Sequence, residues 1–159
     1  MTRQESVAQE LEQAAADVAA FIAECPDDVW TVVAPRDGRT VASLAYHCAA
    51  GNDLALGWIC QMLSFRPVHE TSESHNGHND DEAVRTAGAT KAEVGAMLRR
   101  TTERSAHFLR SLTDDELERC ALHGIAGREI AVGQFIPNFP RHMRGHLEAM
   151  RDAAVALQT

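Results

Sequence analysis

Two histidines near the end of the chain, His142 and His146, are spaced so that they could bind one metal ion. Residues four apart lie one turn apart on the same face of a helix, so both imidazoles could reach a shared ligand. The sequence contains eight histidines, so this spacing by itself is weak evidence. Their position is better evidence, because Phe139, Met150 and Leu157 continue the same stripe by steps of three or four. Buried imidazoles without partners cost a few kcal/mol, roughly, and a metal ion would satisfy both of them.

His47 is the candidate for a third ligand. His47 lies on an earlier helix, in a series of residues at helical spacing that contains Leu44, Leu54 and Trp58. Its side chain is therefore predicted to face the interior of the bundle, where Gly51 leaves room beside the imidazole. Three nitrogen ligands with an open position are the usual arrangement of a catalytic metal site. Taken singly, each histidine is more often a hydrogen-bonded core residue, and this alternative stays open.

The remaining histidines are given plainer interpretations. His75 and His78 fall in the polar segment 66–81 and are predicted to be solvated loop residues, with a second metal site or the mouth of a pocket as alternatives. No spacing partner is assigned to His69, His107 or His123.

Other polar and aromatic residues could lie near the three histidines. Cys48 follows His47 directly but points about 100° away on a helix, so it is interpreted as a small core residue. Asn79 is interpreted as the cap of the third helix. Tyr46, Trp58 and Arg144 could approach an ion, although a packing or surface role explains them equally well.

The elements that must position these residues are four helices. Their apolar residues recur with helical spacing at about 5–25, 40–65, 80–111 and from either 131 or 138 to 157. Pro26 ends the first helix, Thr40 caps the second, and Pro137 and Pro140 either kink the last helix or delay its start. One core is predicted, which contains Val7, Leu11, Leu44, Leu54, Val94, Phe108, Phe139, Met150 and Leu157.

Smaller elements are predicted between the helices. Any strand around Trp30 is short and peripheral, Thr113 starts one further helical turn, and the glycine-containing segment 120–130 forms a small hairpin.

Length and composition predict one domain and exclude some partners. With 159 residues, 1–159 is expected to be a single domain with its own core. The net charge of −8 opposes nucleic acid and anionic membranes. No apolar stretch is long enough for a bilayer, and we expect a cytoplasmic protein whose four cysteines, with no Cys-x-x-Cys pair among them, are reduced.

Three segments carry a resemblance to a known family. They are 38–47, which ends in His47; Asn79 with the following segment 87–98; and His142-Met-Arg-Gly-His146. In these the chain resembles the DinB/YfiT-like family of metalloenzymes, related to the metal-binding domain of mycothiol-dependent maleylpyruvate isomerase. One departure is the pair Pro137 and Pro140, which stand where relatives have continuous helix.

The resemblance implies a fold, a site and a class of chemistry. The fold is an all-α, up-down-down-up four-helix bundle, here with short hairpin elements, and commonly a homodimer. The ligands are His47, His142 and His146 around a divalent ion, usually zinc or nickel. Relatives use the ion to activate a thiol of the mycothiol, bacillithiol or glutathione type. We therefore predict a metal-dependent enzyme that activates such a thiol, or water, for transfer, isomerisation or hydrolysis of a small molecule. A noncatalytic metal-binding, ligand-binding or stress-response protein and a metal-free helical scaffold are the alternatives.

Overall fold

The computed structural model describes residues 1–157 and is mostly helical. In chain order its elements are α1 (Arg3–Glu24), α2 (Asp27–Trp30), α3 (Val41–Leu63), α4 (Ser72–Thr86), α5 (Lys91–Ser111), α6 (Asp114–Leu117), β1 (Cys120–His123), β2 (Arg128–Ala131), α7 (Val132–Phe135) and α8 (Asn138–Ala156). Residues 158–159 of the predicted domain lie outside the described residues.

Helices α1, α3, α5 and α8 form a four-helix bundle, which confirms the predicted all-α fold. Both α1 and α3 pack against α5 and α8, so α1 and α3 occupy opposite corners although they are successive long helices. The predicted hairpin is confirmed as the antiparallel pair β1–β2, in register from Cys120↔Ala131 to His123↔Arg128. None of the helices within residues 1–157 is both long and apolar enough to cross a membrane.

Threonine side chains cap the N-termini of most of the helices. Thr40 accepts a hydrogen bond from the Ser43 amide at 3.1 Å and caps α3, as predicted. Thr113 and Glu116 form the predicted capping box at the start of α6. Pro26 follows the end of α1 at Cys25, because proline cannot continue the helical hydrogen bonding.

The prediction of a loop over 66–81 is wrong, because most of it lies in the fifteen-residue helix α4. The predicted helix 80–111 is correspondingly two helices, α4 and α5. A capping box at Thr71 starts α4, and Thr90, not Asn79, caps α5. The apolar pattern did not reveal α4 because the only buried residues of this helix are polar.

The prolines before the histidine pair delay the last helix and do not break it. Helix α8 begins at Asn138, directly after Pro137, while α7 forms a separate turn. Pro140 lies in the first turn of α8, where the amide that proline lacks has no partner within the helix. His142 and His146 therefore lie on regular helix.

The bundle has one apolar core, as predicted. Leu157 is wrongly placed in that prediction: it follows the last residue of α8 and is 49% exposed, because the helix ends beyond the edge of the core. Leu54 and Phe108 are only partly buried. The other predicted core residues are buried: Val7, Leu11, Leu44, Val94, Phe139 and Met150.

Candidate metal centre

Three imidazoles meet between two helices of the bundle. His47 comes from α3, and His142 and His146 come from α8, which packs against α3. The Nε2 atom of His142 lies 3.0 Å from Nε2 of His47 and 3.2 Å from Nε2 of His146. In a tetrahedral site with metal–nitrogen distances of ~2.1 Å, ligand nitrogens are about 3.4 Å apart. The two separations are slightly shorter than this value, and all three ligand atoms lie within 4.8 Å of one another, so the group is compatible with one shared divalent ion.

A buried carboxylate orients the first histidine. Nδ1 of His47 lies 2.6 Å from Oε2 of Glu82, and both side chains are more than nine-tenths buried. Because Nδ1 donates to this carboxylate, Nε2 keeps its lone pair and directs it toward the other two imidazoles. Burial raises the pKa of Glu82, but the hydrogen bond from His47 and the positive charge of Arg39 outweigh it, so the net pKa is lowered. No motif or apolar spacing in the sequence indicated Glu82.

A second carboxylate lies behind His146. Oδ2 of Asp37 is 3.8 Å from Nδ1 of His146, and Arg39 donates to Asp37 through Nη2 at 2.9 Å. The hydrogen bond from Arg39 lowers the pKa of Asp37, so its carboxylate stays charged beside the imidazole. The loop between α2 and α3 thus adds a partner to the site.

The two imidazoles of α8 are held neutral. Burial, reinforced by repulsion from neighbouring histidines and Arg39, lowers the pKa of His142 to about 3. Burial lowers the pKa of His146 to about 4. A neutral imidazole is the form that can bind a metal ion, and both side chains are in this form near neutral pH.

These lowered pKa values predict that the metal-free protein loses stability as the pH falls from about 6.5 toward about 4. In that window the unfolded histidines take up protons while the folded ones resist them, so acid favours the unfolded state. We expect the free energy of unfolding to fall by roughly 1 kcal/mol per pH unit for each histidine. Urea unfolding of chelator-treated protein at several pH values measures this slope, which should flatten when His142 and His146 are both replaced by glutamine. A slope unchanged by that double substitution would contradict the assignment.

Gly51 provides the space for His142. A Cβ atom at this position of α3 would lie 2.9 Å from Cε1 of His142. Sequence analysis expected the space to serve an imidazole but placed it beside His47, whereas the structure gives it to His142.

Replacing Gly51 with alanine is therefore expected to have opposite effects on the fold and on the metal. The helix gains roughly 0.5–1 kcal/mol because alanine is the better helix former, while displacement of His142 weakens metal binding about tenfold or more. Chelator competition measures the affinity and thermal unfolding of the metal-free protein measures the stability. Gly57→Ala on the same helix is the matched control, because a Cβ there meets nothing within 4 Å. Equal affinities for the two variants would count against the clash.

A cavity of about 260 Å³ adjoins the three histidines. His47 and His142 form part of its wall, and most of the remaining wall is apolar. The other lining residues are Gly51, Asn52, Leu54, Ala55, Trp58, His75, His123, Ile125, Ala126, Ile130, Phe135, Asn138 and Phe139. A metal ion held by the histidines would thus lie beside a mainly apolar cavity of a size suited to a small molecule.

The other residues singled out in the sequence are dispersed. Trp58 lines the cavity. His75 lies on α4 and also lines the cavity, so it agrees with the predicted alternative of a residue at the mouth of a pocket and not with a solvated loop. His78 is an exposed residue of α4, and Arg144 pairs with Glu10 at 3.2 Å on the surface. Tyr46 packs against the core.

Cys48 and the three histidines without an assigned partner lie in the core, on the surface and in the cavity wall. Cys48 is fully buried, and burial raises the pKa of its thiol to about 12, so it is an inert core residue as interpreted. His69 and His107 are exposed. His123 is buried in the cavity wall, which sequence analysis did not predict.

Comparisons with known proteins agree with this architecture. No curated protein matches the sequence. The structure is similar to YfiT from Bacillus subtilis, described as a probable metal-dependent hydrolase with an unusual four-helix bundle topology, with a TM-score of 0.82 and 17% identity over 98% of this chain and 87% of that one. The family model of the DinB superfamily matches residues 10–150. The chain, with its four-helix bundle and clustered histidines, therefore belongs to the DinB superfamily.

Proposed function

We propose that this protein is a metal-dependent enzyme in which His47, His142 and His146 hold one divalent ion, zinc or nickel. The three imidazoles would hold the ion beside the cavity, and a divalent ion held there with an open position would lower the pKa of a water molecule or a thiol, making it the nucleophile for attack on a small molecule. The observation that carries the proposal is the meeting of three Nε2 atoms next to a mainly apolar cavity.

The chemistry of the three side chains supports a cation at this point. His47 donates through Nδ1 to Glu82, so its Nε2 has only a lone pair to offer. Its neighbour His142 is neutral, and a single hydrogen can lie between two of the three nitrogens but cannot satisfy all of them. One cation accepts a lone pair from each imidazole and removes this conflict.

Residues around the three histidines orient the imidazoles and form the walls of the site. Glu82 fixes the ring of His47, and Asp37 lies behind His146, which keeps the nitrogens pointed at one place. Three neutral ligands would contribute no negative charge of their own to the ion, which would favour binding of hydroxide or a thiolate. Apolar walls keep bulk water from the reacting molecule.

The nucleophile is proposed as water or a low-molecular-weight thiol. Activation of water is supported by the structural likeness to YfiT, which is described as a probable hydrolase. Activation of a thiol of the mycothiol, bacillithiol or glutathione type rests on the family resemblance. From the same resemblance we propose that the enzyme works as a homodimer.

The test is metal analysis of protein purified without a histidine tag, followed by assays of the metal-loaded chain on ester and amide substrates with and without each thiol. We expect one divalent ion per chain and turnover that a chelator removes and the ion restores. An ion whose fourth position is closed by a protein ligand, or the absence of turnover with every substrate and thiol, would overturn the catalytic proposal and favour a noncatalytic metal-binding protein.

A further inference from the structure

The wall of the cavity beyond the metal centre is a cluster of aromatic rings. The ring centroid of Trp58 lies 5.3 Å from that of His123 and 6.0 Å from that of Phe135. His123 and Phe135 are 5.2 Å apart, and Phe139 continues the row 6.3 Å from Phe135. These separations fall in the range at which aromatic rings pack favourably, so the cluster forms a defined surface for a flat apolar molecule.

His123 is the unusual member of this cluster. Its residue surface is 3% exposed, and neither ring nitrogen has a hydrogen-bond partner among the described residues. Burial lowers the pKa of His123, so the ring is neutral and carries one donor and one acceptor. A buried donor or acceptor without a partner is unfavourable, and a molecule that bonds to either nitrogen recovers this loss.

The backbone holds His123 firmly in place. The amide of Val68 donates to the carbonyl of Leu122 at 2.8 Å, and the amide of Gly124 donates to the carbonyl of Val68 at 2.7 Å. The carbonyl of His123 itself accepts from Gly127 at 2.8 Å. Both ring nitrogens are covered in this structure, and binding of a partner to either one requires the ring to turn about its Cβ–Cγ bond.

The charge of the wall limits what can bind. Among the described residues, those that line the cavity include no lysine, arginine, aspartate or glutamate. Glu70, which pairs with His75 at 3.3 Å, places a negative charge near this end of the cavity. In the metal-free protein an anionic group would be desolvated there without a countercharge, which is costly.

We propose that the cavity binds a neutral, mainly apolar molecule with one substituted ring, and that His123 recognises its single hydroxyl or amide group. The volume of about 260 Å³ exceeds the ~150 Å³ of a cavity that holds benzene, which leaves room for the ring and its substituent. This inference rests on the proposed function, because it takes the bound molecule to be the substrate on which the metal centre acts. The charged ends of a glutathione-type thiol find no partners among the lining residues, so the aromatic part of the cavity around His123 is assigned to the substrate, and only the sulfur of such a thiol would enter at the three histidines.

Binding of three ring compounds to the metal-free protein tests the proposal. Phenol offers a neutral hydroxyl, toluene has none, and benzoate carries a negative charge on the same ring. Tryptophan fluorescence reports binding because Trp58 lines the cavity, whereas Trp30 is held elsewhere by a hydrogen bond from its indole to the carbonyl of Ala89. We expect phenol and toluene to bind and benzoate to bind at least tenfold more weakly.

Substitution of His123 then tests the hydrogen bond. His123→Phe keeps a flat ring and should reduce the preference for phenol over toluene about tenfold, the value of one ordinary hydrogen bond. His123→Gln keeps a donor and an acceptor and should retain part of the preference. His107→Phe, at an exposed position of α5, is the matched control and should change nothing.

Three results would overturn the proposal: no binding of any compound, benzoate binding as tightly as phenol, or an unchanged preference in a His123→Phe variant with native helical content. The same titrations on His146→Ala separate this inference from the proposed function. Phenol binding that persists in that variant supports the cavity assignment whether or not the ion is catalytic.

Discussion

His146→Ala is expected to abolish tight binding of a divalent ion while leaving the fold intact. The substitution removes one of three nitrogens that lie within 4.8 Å of one another. Two neutral imidazoles without a third ligand hold such an ion far more weakly, and we expect a loss of affinity on the order of a hundredfold or more. Metal content after gel filtration and chelator competition measure this loss. Helical content should survive, because a core of this size folds without the ion.

His107→Ala is the matched control for this experiment. His107 is an exposed histidine of α5, so its loss changes the histidine count without touching the site. The strongest form of the test replaces His47, His142 and His146 together with alanine. Full metal occupancy in that triple variant would rule out the three-histidine centre.

The histidine cluster could be predicted from the sequence because its members share the stepping of the core. His142 and His146 lie between Phe139 and Met150 on the same stripe of α8, so the residues that bury the helix also determine where the imidazoles point. His47 follows from Leu44 in the same way on α3. Once two apolar stripes pack together, the polar residues on them must meet.

Helix α4 could not be found by the same reasoning, because its inward face is polar. His75, Asn79, Glu82 and Thr86 follow one another by helical steps and are the side of the helix that turns away from solvent. This face packs on α3 through hydrogen bonds, such as that from Thr86 to Ser43 at 3.0 Å. A search for apolar periodicity misses such a helix, although a search for polar residues at helical spacing would have indicated it.

The position of His123 in the cavity wall could not be predicted for a different reason. It lies on the short strand β1, where neither helical spacing nor a sequence neighbour connects it with the bundle. Only the packing of the hairpin against α3 brings its ring to Trp58. Contacts between elements far apart in sequence depend on tertiary structure and leave no local pattern.

Glu82→Gln is expected to weaken metal binding about 10- to 100-fold without removing any ligand. The glutamine oxygen can still accept a hydrogen bond from Nδ1 of His47, which lies 2.6 Å from Oε2 of Glu82, so the orientation of the ring is largely kept. The negative charge is lost, and with it the increased electron density that the carboxylate gives to Nε2 of His47. Chelator competition on purified protein measures the affinity.

The size and kind of this effect distinguish a positioning role from a structural one. Glu73→Gln, on the exposed face of the same helix α4, is the matched control and should bind the ion as the unsubstituted chain does. Glu82→Ala removes the hydrogen bond as well as the charge, so it should weaken binding further than Glu82→Gln. If Glu82→Gln and Glu82→Ala both retain full affinity while His47→Ala loses it, the carboxylate has no part in holding the ion. If affinity falls in the order expected, the metal centre extends from the three histidines to α4, the helix that the apolar pattern did not reveal.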